Sequence, residues 1–150
     1  MDDAPTPTDD RWAVVRAPVP DDLTSADAWA LHGAAQVNRE VYVDLFGHTD
    51  LAAPVEEVAA NLRNQRYATK ALLVATLPQV STTPTPDDVL GTVAVAMLRE
   101  SNTDSAFVEL RVRPLALRAG VATALLYAAE ALAAEHGRTT IIGESEHRGE

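Results

Sequence analysis

Between Ala106 and Gly137 the chain runs from an alternating strand, through a proline, into a long alanine-rich helix, and that order narrows the possible folds sharply. In Ala106–Arg113 (AFVELRVR), Ala106, Val108, Leu110 and Val112 share one face, with Phe107, Glu109, Arg111 and Arg113 on the other. Pro114 ends the ladder because it has no N–H to donate. A helix carrying Leu125, Leu126 and Leu132 follows to about His136, and Gly137 stops it. Thr139–Gly143 (TTIIG) reads as one more strand. A strand, a crossover helix and a second strand make parallel neighbours in one sheet.

The rest of the chain supplies the partners of that unit. Arg11–Arg16 (RWAVVR) is predicted to be a short strand ended by Pro18 and Pro20. Thr24 or Ser25 can cap a helix to about Leu45, with Trp29, Ala30, Ala34, Val37, Val41 and Leu45 at helical spacing, and Gly47 stops it. Pro54–Arg66 makes a second helix, with Glu56 and Glu57 at its positive end and Arg63 and Arg66 at its negative end. Lys70–Leu77 is a strand, Pro78–Asp88 a loop and Val89–Arg99 a strand, and Glu100–Ser105 is a hairpin turn containing Asn102 and Asp104. The predicted order is β-α-α-β-β-β-α-β, a mixed sheet in one α/β (α+β) domain over residues 11–145. A disordered leader at 1–10 and a polar tail at 146–150 complete the chain.

Composition sets limits on function. A chain of 150 residues has room for one core. Its 12 basic and 22 acidic residues give a net charge of −10, which repels polyphosphates and argues against a nucleic-acid partner. Eleven of the basic residues are arginine, and Lys70 is the only lysine. The absence of cysteine excludes disulfides, thiolate metal sites and a cysteine nucleophile. No apolar run approaches the roughly 18 residues of a membrane span. The acidic, proline-bearing start is the reverse of a secretion signal, so the expected location is the cytoplasm.

The turn after Pro114 carries the chemistry. A helix start leaves about four N–H groups without intrahelical partners and gathers partial positive charge. If Ala119–Thr123 form the first turn, their amides converge on one spot, and Gly120 lets a ligand reach the backbone without meeting a Cβ. Arg118 adds a charge-assisted contact to phosphate. With Gly120 as the only glycine and no Gly-Lys-Ser/Thr, this is neither a P-loop nor a dinucleotide fingerprint.

The longer string FVELRVRPLALRAGVATALLYAAEALAAEHGR, Phe107–Arg138, resembles the acetyl-CoA signature of the GNAT superfamily of N-acetyltransferases. That signature is a strand ending in Val-x-Pro, a turn Gln/Arg-x-x-Gly-x-Gly/Ala, and a Leu-Leu helix ending near Gly-Arg. The resemblance implies a GNAT-like acyl-CoA N-acyltransferase fold with acetyl-CoA as cosubstrate and no metal. Backbone groups of Leu110, Arg111, Val112 and Arg113 would then meet the pantetheine arm, which lies where strands four and five part. Arg118 and the amides of Ala119, Gly120, Val121, Ala122, Thr123 and Ala124 would hold the pyrophosphate. Leu117 stands at the family's Gln/Arg position, and Ala119 where a second basic residue is frequent. The family's further C-terminal helix and two strands, which commonly carry the tyrosine acid, have no counterpart in the order above.

Amine acetylation needs a base and a polarised thioester carbonyl. Glu109 is the candidate base, its alternative being a strand-surface carboxylate paired with Arg111 or Arg99. Amides near Leu110–Val112 can polarise the carbonyl. Tyr127 is expected to face the core or a sheet edge, and Tyr42 and Tyr67 to pack on or beside the first two helices. Asp44, Asp50, Glu56 and Glu57 can form an anionic mouth or a solvated surface. His32, His48, His136 and His147 lack metal-site spacing.

The leading expectation is transfer of acetyl from acetyl-CoA to a primary amine of a small molecule or peptide. The alternative is a non-catalytic, degenerate GNAT-like module serving as a structural or CoA-binding half of a tandem or dimeric protein. A third reading, a nucleotide-binding regulatory domain, lacks a base-recognising motif. A sheet ending at its fifth strand leaves an open edge, so a second GNAT-like domain or a homodimer partner is expected to cover it.

Overall fold

The computed structural model describes residues 11–78 and 83–145. The leader expected at 1–10, residues 79–82 of the expected loop and the tail expected at 146–150 lie outside them. Five strands form one sheet in chain order: β1 (Ala13–Arg16), β2 (Ala68–Thr76), β3 (Gly91–Leu98), β4 (Ser105–Val112) and β5 (Thr140–Ser145). The first four are antiparallel neighbours, and β4 runs parallel to β5 across the helix α3 (Val121–Glu135). The helices α1 (Trp29–Phe46) and α2 (Val55–Arg63) connect β1 to β2. The predicted mixed α/β order is therefore the observed one.

Strand alternation splits the apolar residues into two cores. Val93, Val95 and Met97 of β3, with Ala106, Val108 and Val112 of β4, meet Val121, Leu125, Ala129 and Ala133 of α3. On the opposite face Leu72 and Val74 of β2 meet Leu31, Ala34, Val37 and Val41 of α1 and Ala59 and Leu62 of α2. Aromatic residues make up only 5% of the chain, so alanines at the contact positions bring helix and sheet backbones close together.

Several boundaries differ from the sequence reading for local reasons. The Ser25 hydroxyl accepts the Asp27 N–H at 3.1 Å, but it caps a short 3-10 turn, Ala26–Ala28, and α1 starts only after that turn. Gly47, left-handed at φ 80°, ends α1 as expected. α2 stops at Arg63 rather than Arg66 because Gln65 intervenes. Its side chain donates to the carbonyls of Leu62 (2.6 Å) and Lys70 (3.1 Å) and accepts the Lys70 N–H (2.9 Å), closing the helix and starting β2 together. At the β3–β4 turn Asn102 is left-handed (φ 47°) and its carbonyl accepts the Ser105 N–H at 3.0 Å. Arg138, past the end of α3, donates to the carbonyls of Leu98 (2.8 Å), Ser105 (3.2 Å) and Asn102 (3.3 Å), so the helix end is tied to that hairpin.

β4 and β5 pair without a break from Ser105–Thr140 to Leu110–Ser145. Arg111 and Val112 lie past the last of these pairs. Among the described residues β5 pairs with β4 alone.

Candidate active site

Pro114 opens a 3-10 turn, Pro114–Ala116, as β4 leaves the sheet. The chain then passes through two left-handed residues, Arg118 (φ 64°) and Gly120 (φ 97°). A side chain at such an angle costs about 1–2 kcal/mol, which suits glycine at 120. Gly120 is the N-cap of α3, so the helix starts at Val121, two residues later than predicted. The Ala124 N–H donates to the Gly120 carbonyl at 3.1 Å and leaves the predicted anion-binding set for that reason. The amides of Ala119, Gly120, Val121, Ala122 and Thr123 donate to no acceptor among the described residues. Unpaired amides at a helix start, with the helix dipole behind them, are suited to an anion, although Val121 itself is fully buried. Arg118 is exposed beside it, Leu117 is half-exposed, and Leu115 stands free in solvent.

Of the predicted backbone contacts, Leu110 is inside the β4–β5 ladder, while Arg111 and Val112 extend past it. Arg113 is engaged within the fold itself. Its N–H donates to the Leu90 carbonyl (2.9 Å), and its own carbonyl accepts the Ala116 N–H (2.8 Å). Its buried guanidinium bonds to the Val89 carbonyl and the Glu40 carboxylate, and it also reaches Gln36 (3.0 Å) and the Pro86 carbonyl (3.2 Å). With its backbone N–H and most of its guanidinium donors used, Arg113 fastens α1 to the exit of β4, and that N–H is closed to a pantetheine arm.

Glu109 and Arg111 emerge on the face covered by α1 and α2, as the alternation requires. A cleft of about 370 Å³ lies there, floored by Thr92 and Ala94 and walled by Asn38, Tyr42, Glu57 and Asn61. A second lobe of about 350 Å³ over Ala96, Phe107 and Ile142, beside Lys70, adjoins it and shares Asn61, Leu62, Ala94 and Glu109. Glu109 borders both lobes. Its carboxylate accepts from Arg111 at 2.5 Å while its side chain stays 41% exposed, so an entering ligand can reach it. Arg111 also donates to the Tyr42 hydroxyl (3.3 Å) and lies over that ring, 5.6 Å from its centroid. Burial opposes charge on Arg111, but the attraction and hydrogen bond of Glu109, helped by Tyr42, outweigh it and hold the guanidinium above its ordinary range.

The other candidates scatter. Of the four residues considered for an anionic mouth, Glu57 alone lines the cleft; Asp50 lies 3.7 Å from His48, and Asp44 borders a separate groove with Arg39 and Pro114. Tyr127 and Tyr67 are exposed rather than packed, Tyr67 with Arg66 over its ring. The described residues hold no cluster of His, Asp or Glu suited to a metal. Sequence reasoning missed Asn38, Asn61 and Lys70. Asn38 did carry a signal, since it interrupts the apolar stripe between Val37 and Val41 and is buried there.

No protein-family model matches this chain, and no curated protein does. Solved structures do. An aminoglycoside acetyltransferase, meta-AAC0020, from an uncultured soil metagenomic sample aligns over 91% of this chain and 78% of its own, with 16% identity and a TM-score of 0.57. A GCN5-related N-acetyltransferase from Kribbella flavida aligns over 87% and 70%, with 19% identity and a TM-score of 0.60. The chain has the GNAT fold. A third GNAT-fold neighbour, yncA of Salmonella typhimurium, solved with its cofactor acetyl-CoA, aligns over 89% and 69% at 14% identity and a TM-score of 0.59. The unpaired amides of 119–123 follow β4 after the Pro114–Ala116 turn, and the Glu109 cleft lies against the middle of that strand.

Proposed function

We propose that this protein transfers an acetyl group from acetyl-CoA to a primary amine. The observation that carries the proposal is the left-handed Gly120 cap, with unpaired amides around it, on the turn that follows the strand carrying Glu109. Acetyl-CoA supplies an activated acyl carbon: its bond to sulfur breaks as a bond to the amine nitrogen forms, the ammonium loses its proton and the leaving thiolate gains one. The cradle of 119–123 holds the diphosphate end, aided by Arg118. Val112, past the β4–β5 ladder and turned away from β3, offers backbone groups to the arm and an N–H to polarise the carbonyl. Glu109, reachable from both lobes, takes the ammonium proton, and Arg111 holds its carboxylate in place. Since acetyl-CoA is made and used inside cells, this reading locates the protein in the cytoplasm.

A second reading follows from Leu117, an exposed apolar side chain where the GNAT signature has Gln or Arg. In it the domain binds CoA weakly and serves as a structural half, its β5 edge covered by another domain or copy. Calorimetric titration with acetyl-CoA, followed by a thiol-release assay with amines, separates the two. Micromolar binding lost in Gly120→Trp, with the circular dichroism spectrum unchanged, supports the cofactor site, and silence up to millimolar ligand sinks it. Binding without thiol release from any amine favours the structural half.

A further inference from the structure

Lys70 is the only lysine in a chain of net charge −10, and it lines the second lobe of the Glu109 cleft. Its ammonium donates to the side-chain oxygen (2.9 Å) and the carbonyl (3.2 Å) of Asn61. Both are neutral acceptors, so no carboxylate of the described residues balances this charge. The lobe itself contains one carboxylate, Glu109, which Arg111 already pairs. Its floor of Ala94, Ala96, Phe107 and Ile142 is apolar. A fixed cation above an apolar floor attracts an anionic group with an apolar neighbour.

The spacing follows from the sheet register. Lys70 pairs with Ala96, and Ala96 pairs with Phe107, so Lys70 and Phe107 stand level on one face two strands apart. Two strand spacings across and two residues along put the Lys70 and Glu109 Cα atoms about 12 Å apart. Across that span the separated ends of a dipeptide reach further than the adjoining ammonium and carboxylate of a single α-amino acid.

We propose that the acceptor is an amine bearing a carboxylate several bonds away, as in a short peptide, with the amine at Glu109 and the carboxylate at Lys70. This rests on the acetyltransferase reading for the role of Glu109, but its binding test stands apart from that reading. Alanyl-leucine and alanyl-leucine amide are titrated calorimetrically into the full chain, with and without coenzyme A. The acid is expected to bind about tenfold more tightly than the amide, the scale of one charge-assisted contact. Lys70→Gln, which keeps a donor for Asn61, should erase that preference, and Lys70→Arg should retain it. An amide that binds as well as the acid, a preference that survives Lys70→Gln, or binding of neither peptide overturns the proposal. If the acid binds with this pattern but no thiol is released from acetyl-CoA, the carboxylate site stands and the acetyltransferase reading falls.

Discussion

Gly33→Ala is expected to destabilise the protein, against the usual rule for helix interiors. Gly33 lies within α1, where glycine ordinarily weakens a helix by about 0.5–1 kcal/mol relative to alanine. The added methyl has no room here. A Cβ at 33 would stand 2.3 Å from Val89 Cγ2, 2.7 Å from Val89 Cβ and 2.9 Å from the Pro86 carbonyl oxygen. Carbon atoms in ordinary contact are about 3.5–4.0 Å apart. Val89 cannot turn aside: it is fully buried, its N–H bonds to the Pro86 carbonyl, and its own carbonyl accepts from Arg113. Overpacking of this kind costs about 1–3 kcal/mol and exceeds the propensity gain, leaving a net loss of about 1–2 kcal/mol. At this chain length that lowers Tm by about 2–8 °C. Urea denaturation measures it, and the decisive comparison is a double-mutant cycle with Val89→Ala, which removes the 2.3 Å contact but keeps those with the Cβ of residue 89 and the Pro86 carbonyl, so the cost of Gly33→Ala should fall in part. A single variant as stable as the parent, or an equal cost in both backgrounds, refutes the steric argument.

Four other expectations can be checked with simple variants. Arg113→Ala strands the buried Val89 carbonyl and leaves Glu40 unpaired; because Glu40 is partly exposed the loss should fall near 2–4 kcal/mol by denaturant titration, and less than 1 kcal/mol would refute the fastening role. Glu109→Gln should lower the rate of thiol release by about 10²–10⁴-fold with acetyl-CoA affinity intact, while an unchanged rate across pH removes it from the mechanism. Leu117→Arg restores a cation beside the open amides and should tighten acetyl-CoA severalfold in calorimetry; no gain would mean the diphosphate lies elsewhere. Sedimentation should find the β5 edge covered in a dimer, and a stable, well-folded monomer of this chain would contradict that.

What was legible from the sequence was whatever is local in it. The Pro114 strand end, the Gly120 approach and the helix after it lie within a few residues of one another, and strand alternation alone put Glu109 on the face opposite Val108. The exact start of α3 was not legible, because it depends on a left-handed Arg118 that no propensity favours. Contacts between distant segments were also hidden. Tyr42 meets Arg111 across 69 positions, and Glu40 meets Arg113 across 73, distances over which no spacing rule operates.

Arg113 shows how far the period-two argument reaches. Alternation places it on the same face as Glu109 and Arg111, the face that α1 covers, and its contacts with Gln36 and Glu40 of α1 agree. β4 ends at Val112 and the backbone turns at Pro114, so the guanidinium meets α1 itself rather than lining the cleft. Two arginines separated by a single valine, one in β4 and one just past its end, thus do different work. Arg111 holds the carboxylate that would receive a proton, and Arg113 fixes the angle at which the chain leaves the sheet for the Gly120 turn. Substitution at 111 should therefore alter chemistry with stability largely kept, while substitution at 113 should alter stability first. The order of those two effects separates a site built on β4 from a strand that merely ends near one.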